Sequence, residues 1–145
     1  MKSKQLHDET EGKRNWVLAY KKGDRIVQEL MNFAENQNLK SAYFMAIGAL
    51  KEATLAYFDW EKKEYQDISI DEQVEVLSLI GNISKKGDDY KIHIHVTLGR
   101  EDGSVRGGHL KEGTVRPTLE LFLNEGAKKI TKSKDEETGL ALMDL

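Results

Sequence analysis

The sequence predicts an α+β domain, with one main amphipathic helix packed on a largely antiparallel sheet of about seven to eight strands. Three observations lead there. A single stretch, GDRIVQELMNFAENQNLK (residues 23–40), repeats apolar residues at helical spacing. After Ser41 the pattern changes to short apolar or alternating runs punctuated by glycine and charged turns. The links KKE, KKGDD and REDG between those runs are too short for a parallel crossover, so hairpins follow.

Taken in order, residues 1–13 are polar and read as a flexible N-terminal arm, with His7 in solvent. Residues 14–145 then form one domain, the size for which a single core suffices. NWVLAY (15–20) is a first strand. Asp24 stands where an N-cap belongs, ahead of the stripe Ile26, Val27, Leu30, Met31, Phe33 and Ala34, which needs a sheet to cover it. Strands are expected near AYFMAIGAL, ATLAYFDW, EYQDISI, QVEVLSLIGNIS, YKIHIHVTL, VRGGHL and TLELFLN. The closing KKITKSKDEETGLALMDL begins as a charged strip and ends with Leu140, Leu142, Met143 and Leu145, enough apolar surface to dock.

Composition narrows the function classes. The 145 residues are 39% hydrophobic and 32% charged, the balance of a folded chain. The net charge of −3, from 22 basic and 25 acidic side chains, lacks the basic excess of a free-standing nucleic-acid binder. No cysteine is present, which excludes disulfides, thiolate zinc fingers, iron–sulfur ligation and cysteine nucleophiles. Any metal must be held by histidine and carboxylate. No apolar leader and no membrane-length run occurs, so no membrane partner is expected and the default location is cytoplasmic.

The chemistry concentrates in KIHIHVTLGREDGSVRGGHL (91–110), which holds three of the four histidines. In a strand, His93, His95 and Thr97 share one face while Ile92, Ile94, Val96 and Leu98 share the other, which is the core face. Imidazoles at i and i+2 lie roughly 6–7 Å apart at Cα, close enough to converge on one ion. A third imidazole from His109 gives the open layout of three neutral ligands and one free position. Parity is the test. A two-residue loop at Asp102-Gly103 would put His109 opposite Val96, on the wrong face, whereas an odd loop or a break at Gly107-Gly108 brings it to the histidine face. The plainer reading of His-x-His is a half-exposed polar strand face.

Other constellations are weaker. Gly87, His93, His95, Glu101 and Gly107 approximate the first cupin motif, but Glu101 falls late, in the turn, and no second motif follows. Glu75 could supply a fourth ligand, anchor a subunit contact or face solvent. Ser78 and Ser104 lie near histidines in sequence without a group to orient a base. No G-x-S-x-G, Walker loop or Rossmann fingerprint occurs. Tyr43, Phe44, Tyr57, Phe58 and Trp60 sit at core spacing rather than as a base-stacking platform.

FMAIGALKEATLAYFD, VEVLSLIGNIS, IHIHVTLGREDGSVRGGHLKEGTVRPTLELFL and DEETGLALMDL together resemble the plant and prokaryote conserved (PPC) domain, whose stand-alone prokaryotic members are also known as DNA-binding proteins with a PD1-like motif. The likeness spans about residues 15–145. It implies an α+β fold, a homotrimer, and in some free-standing members a metal at a histidine cluster, matched here by His93, His95 and His109. Gly48, Glu75, Leu79, Gly81, Gly107, Gly108 and Gly113 match the rest of the pattern. In plant members an AT-hook precedes the domain and enters the DNA minor groove; no AT-hook occurs here. The family has no agreed catalytic activity, so no catalytic residue is carried over.

The leading expectation is a cytoplasmic, homotrimeric PPC-domain protein that binds a divalent metal, zinc first, for assembly or regulation, with DNA reached through DNA-binding partners. An alternative is a metal-dependent hydrolase or lyase acting on a small molecule at an open three-histidine site, which calls for a hollow of several hundred Å³ beside the rings. A third is direct DNA binding, with its steep salt dependence.

Overall fold

The computed structural model describes residues 1–10 and 13–144, without the side chains of residues 7–10. Along the chain run strands β1 (Lys2–Thr10) and β2 (Lys13–Lys21), helix α1 (Ile26–Asn36), and strands β3 (Ala42–Asp59), β4 (Glu64–Ile70), β5 (Val74–Lys86), β6 (Asp89–Gly99), β7 (Val105–Glu125), β8 (Thr131–Lys134) and β9 (Ala141–Asp144). The α+β fold with a mostly antiparallel sheet is therefore as the sequence predicts; among the described residues, only the β5–β8 pair is parallel. The strand count reaches nine because both ends of the chain contribute to the sheet.

The N-terminal arm is the first departure. Residues 2–10, expected to be flexible, pair antiparallel with β2 from Lys2↔Ala19 to Thr10↔Lys13. Backbone pairing needs no apolar side chain, which is why a polar composition concealed it. The Met1 ammonium, 2.7 Å from Asp24 Oδ2, fixes the start of the strand. The expectation that His7 is solvent-exposed concerns a side chain outside the described residues.

Asp24 is thereby occupied and does not cap the helix; Arg25 holds the N-cap position without a side-chain bond. The cap comes instead from β7. Glu112 accepts hydrogen bonds from Val27 N at 2.9 Å and Gln28 N at 3.3 Å, placing a carboxylate on the positive end of α1.

Two expected strand pairs are each one long strand. AYFMAIGAL and ATLAYFDW run together as β3, and VRGGHL and TLELFLN as β7. β3 pairs with both β5 and β7 through its first half, and with β4 and β7 through its second. Because β5 also pairs with β6, and β6 with β7, the strands β3, β5, β6 and β7 close into a ring. Pro117, the one proline, lies where β7 slips register against β3 between Leu119 and Val115, so its missing N–H costs the ladder little. The tail forms the β8–β9 hairpin, attached beside β5 at Lys85↔Thr131.

Alternation sorts the two faces. Leu18, Tyr20, Phe44, Ala46, Leu79, Ile94, Val96, Leu98, Leu119 and Leu121 point inward, where Ile26, Leu30, Phe33 and Ala34 of α1 cover them, with Trp16 edge-on to Phe33 at 5.2 Å. Outward, Tyr43, Met45 and Ile47 of β3, Ile80 of β5 and Phe122 of β7 are all about half exposed or more. Met45 lies opposite both Ile80 and Phe122, so this is one contiguous apolar face.

Gly48 sits where β3 and β7 press together. Its φ is +152°, and a Cβ there would lie 2.4 Å from the Thr118 carbonyl oxygen and 2.6 Å from Leu119 Cα, both backbone atoms. Gly48→Ala is expected to lower the unfolding free energy by about 3 kcal/mol, read from urea denaturation. An unchanged midpoint would contradict this packing.

Candidate metal centre

The centre is assembled from the middle of β6 and the adjoining part of β7. Gly99 pairs with Val105 and His95 with His109, so the β6–β7 loop holds five residues, Arg100 to Ser104. That odd number gives the parity required for His109 to share the outer face. The loop is fixed by Arg100 N to the Ser104 carbonyl at 2.9 Å and Gly103 N to the Arg100 carbonyl at 3.0 Å, with Gly103 at φ +79°.

The three rings converge. One ligand nitrogen from each of His93, His95 and His109 falls within 4.8 Å of the other two. The Nε2 atoms of His93 and His95 are 3.1 Å apart, and the ring centroids lie 5.0, 5.2 and 5.7 Å from one another. His109 Nδ1 is buried without a hydrogen-bond partner. The His93 and His95 Nε2 atoms are within hydrogen-bond distance of each other, so one ring accepts from the other. Three neighbouring imidazoles at this spacing fit a borderline-soft divalent ion such as zinc.

Electrostatics favour neutral rings at His93 and His109. Burial pushes His109 down to about 4, with the positive charge of His93, His95, Lys111 and Lys132 adding to it. Burial likewise lowers His93, helped by Lys132 and His95. In the metal-free protein the unfolded chain therefore takes up a proton near pH 6.5 while folded His109 does not until about pH 4. Its contribution to stability is full above pH 6.5 and declines as the pH falls toward 4. Thermal melts of metal-free protein between pH 7 and 4.5 should show this loss, and His109→Gln should flatten it.

The surroundings include side chains that sequence spacing did not suggest. Tyr65 of β4 stacks on His109 with centroids 4.9 Å apart and planes tilted by 30°, and Phe58 meets Tyr65 edge-on. Lys132 of β8 brings a half-buried ammonium whose charge acts on both His93 and His109. Both residues are remote in sequence, and only the strand pairing reveals them. A hollow of about 350 Å³ runs along His93 and His95, bounded by Tyr43, Met45, Ile80 and Asn82.

Several candidates fall away. Glu75 lies opposite Gly99, beside Gln73 and Arg100, and among the described residues the group within ligand reach contains no carboxylate, so Glu75 is not a fourth ligand. Ser104 Oγ donates to Asp102 Oδ1 rather than to a histidine, which removes the triad arrangement. Glu101 is exposed in the loop, away from the rings.

With this geometry in place, the profile of the Plants and Prokaryotes Conserved (PCC) domain matches residues 7–127. The chain belongs to this family. Solved structures agree with the assignment. A plant- and prokaryote-conserved (PPC) protein of Pyrococcus horikoshii is 37% identical with a TM-score of 0.85, covering 91% of this chain and 92% of that one. A metal-containing protein of Archaeoglobus fulgidus is 36% identical with a TM-score of 0.83, covering 90% and 93%. A candidate DNA-binding protein of Bacteroides thetaiotaomicron is 28% identical with a TM-score of 0.87, covering 97% and 96%. The chain is also 30% identical over 129 residues to the bifunctional protein GlmU of a Synechococcus strain, and it spans about a fifth of the length of the curated relatives it matches.

Of the PPC pattern residues, Gly81, Gly107 and Gly108 lie on strands that carry or flank the histidines. Gly81 of β5 lets the strands approach, since a Cβ there would stand 2.5 Å from the His93 carbonyl oxygen. Gly107 and Gly108 precede His109 on β7, Gly113 follows the capping Glu112, and Leu79 lies in the core opposite Val96.

Proposed function

We propose that this PPC-domain protein is a cytoplasmic homotrimer that binds one zinc ion per chain through His93, His95 and His109 and serves an assembly or regulatory role. The observation that carries the metal reading is the convergence of three ligand nitrogens, one from each ring, within 4.8 Å of one another. The similar Archaeoglobus fulgidus protein, itself metal-containing, supports it. When bound, zinc would supply Lewis acidity to an oxygen ligand at the position the histidines leave open. The protein's own part is to favour neutral imidazoles at His93 and His109 and to fix the faces of all three rings through the β6–β7 register. Elemental analysis of untagged protein, loaded with zinc and desalted, should give about one metal per chain; metal-free protein after loading would end this reading.

The trimer is supported by the bare outer face around Met45, too apolar to suit a monomer. The similar Bacteroides protein gives a reason to look for DNA association. The net charge of −3 argues for contact through partners rather than by this chain alone. A hollow of about 350 Å³ beside His93 and His95 favours a second reading, a metal-dependent hydrolase or lyase for a small molecule. Turnover that disappears on chelation and returns with zinc would select it.

A further inference from the structure

We infer that Asn82 is a positioning residue of the metal centre, accepting a hydrogen bond from His93 Nδ1–H and so holding that ring with its Nε2 lone pair toward the ion. This rests on the metal reading above and adds a residue outside the three ligands.

The strand register brings the two side chains together. Asn82 of β5 lies directly opposite His93 of β6. Directly opposed residues of an antiparallel pair share a face, with Cβ atoms about 4.5–5.5 Å apart. Both residues accordingly line the hollow of about 350 Å³ on the outer face.

The carboxamide oxygen of Asn82 is buried and, among the described residues, has no hydrogen-bond partner. An unpaired buried acceptor costs free energy, and this one is closed to solvent, so its donor has to come from a neighbouring side chain. Tyr43 lies opposite Asn82 on β3, but it is 65% exposed and carries its hydroxyl at the far end of the ring. Of the side chains opposite Asn82 on its two neighbouring strands, that leaves the His93 imidazole.

The tautomer explains why this acceptor is unpaired without an ion. The Nε2 atoms of His93 and His95 lie 3.1 Å apart, so in the metal-free protein one carries the proton that the other accepts. Coordination through both of these nitrogens requires two free lone pairs, and each neutral ring then carries its proton on Nδ1. A ligating histidine ordinarily donates that second N–H to an acceptor that fixes both ring and tautomer. Asn82 offers His93 such an acceptor on the adjoining strand.

The test uses the full chain as wild type, Asn82→Leu and Asn82→Asp. Zinc affinity is read by competition with a chromophoric chelator, and the His93 Nδ1–H by proton–nitrogen NMR of zinc-loaded, histidine-labelled protein. Wild type should hold zinc through His93 Nε2 and show a slowly exchanging Nδ1–H. Asn82→Leu should bind zinc about 10–100-fold more weakly and lose that signal to exchange. Its metal-free form should unfold at a urea concentration no lower than wild type, because the oxygen removed has no partner there. Asn82→Asp keeps an acceptor, so it should retain the signal and bind zinc at least as tightly as wild type. Unchanged zinc affinity in Asn82→Leu overturns the inference and leaves the metal reading intact; if the trimer is lost at the same time, the oxygen belongs to the subunit seam. Wild type that coordinates through His93 Nδ1, or whose Nδ1–H exchanges fast, overturns it without recourse to any variant. Wild type that takes up no zinc overturns both.

Discussion

His95→Ala protein, purified without a tag and loaded with zinc, should retain less than a tenth of the metal that wild type holds. His95 occupies the middle of the centre. It lies opposite His109 across the β6–β7 ladder, and its Nε2 is 3.1 Å from that of His93. Its removal leaves two imidazoles and solvent. Loss of a mere supporting residue around a metal costs about 10–100-fold in affinity, so loss of a ligand should exceed 100-fold. The fold should not suffer, because the His95 side chain is exposed on the outer face while Ile94 and Val96 on either side fill the core. Urea midpoints of the metal-free variant and metal-free wild type should therefore agree within about 0.5 kcal/mol. Full occupancy in His95→Ala would remove the assignment, and an unfolded variant would contradict the separation of the two faces.

Met45→Asp should convert the proposed trimer into a 16.5 kDa monomer in sedimentation velocity. Met45 is 59% exposed, Ile80 57% and Phe122 47%, and they stand side by side on three paired strands. Burying a large apolar side chain contributes roughly 1.5–3 kcal/mol when complete, so covering the exposed parts of this trio alone gives several kcal/mol per subunit. A carboxylate at its centre removes one of those terms and adds the cost of desolvating a charge without a partner. Because position 45 faces away from the core, the variant should remain folded. Wild type that sediments as a monomer, or Met45→Asp that stays trimeric, would show that this face is not the seam.

How much could be read in advance depended on whether a feature was written locally. The helix was legible because Ile26, Leu30, Phe33 and Ala34 recur along one stretch. The histidine pair was legible because alternation along β6 dictates its face. The position of His109 reduced to one question of loop parity, which a five-residue loop answers. What stayed hidden was carried by distant strands. Glu112 caps a helix that begins 86 residues earlier in the chain, and that pairing displaced the local candidate Asp24. β1 forms through main-chain bonds that its polar side chains do not advertise. Tyr65 reaches the centre through the β3–β4 hairpin, for which no spacing rule exists.

The pleat of β6 has an evolutionary consequence. Odd-numbered positions 93, 95 and 97 and even-numbered positions 92, 94, 96 and 98 meet different physical demands, although they alternate along one strand. Substitutions in the first set change the donors offered to a ligand, and those in the second change whether the chain folds. A lineage could therefore lose its imidazoles, exchange them for carboxylates or recruit a different ion without passing through unfolded intermediates. The same independence makes this strand a practical site for installing new ligand sets by design.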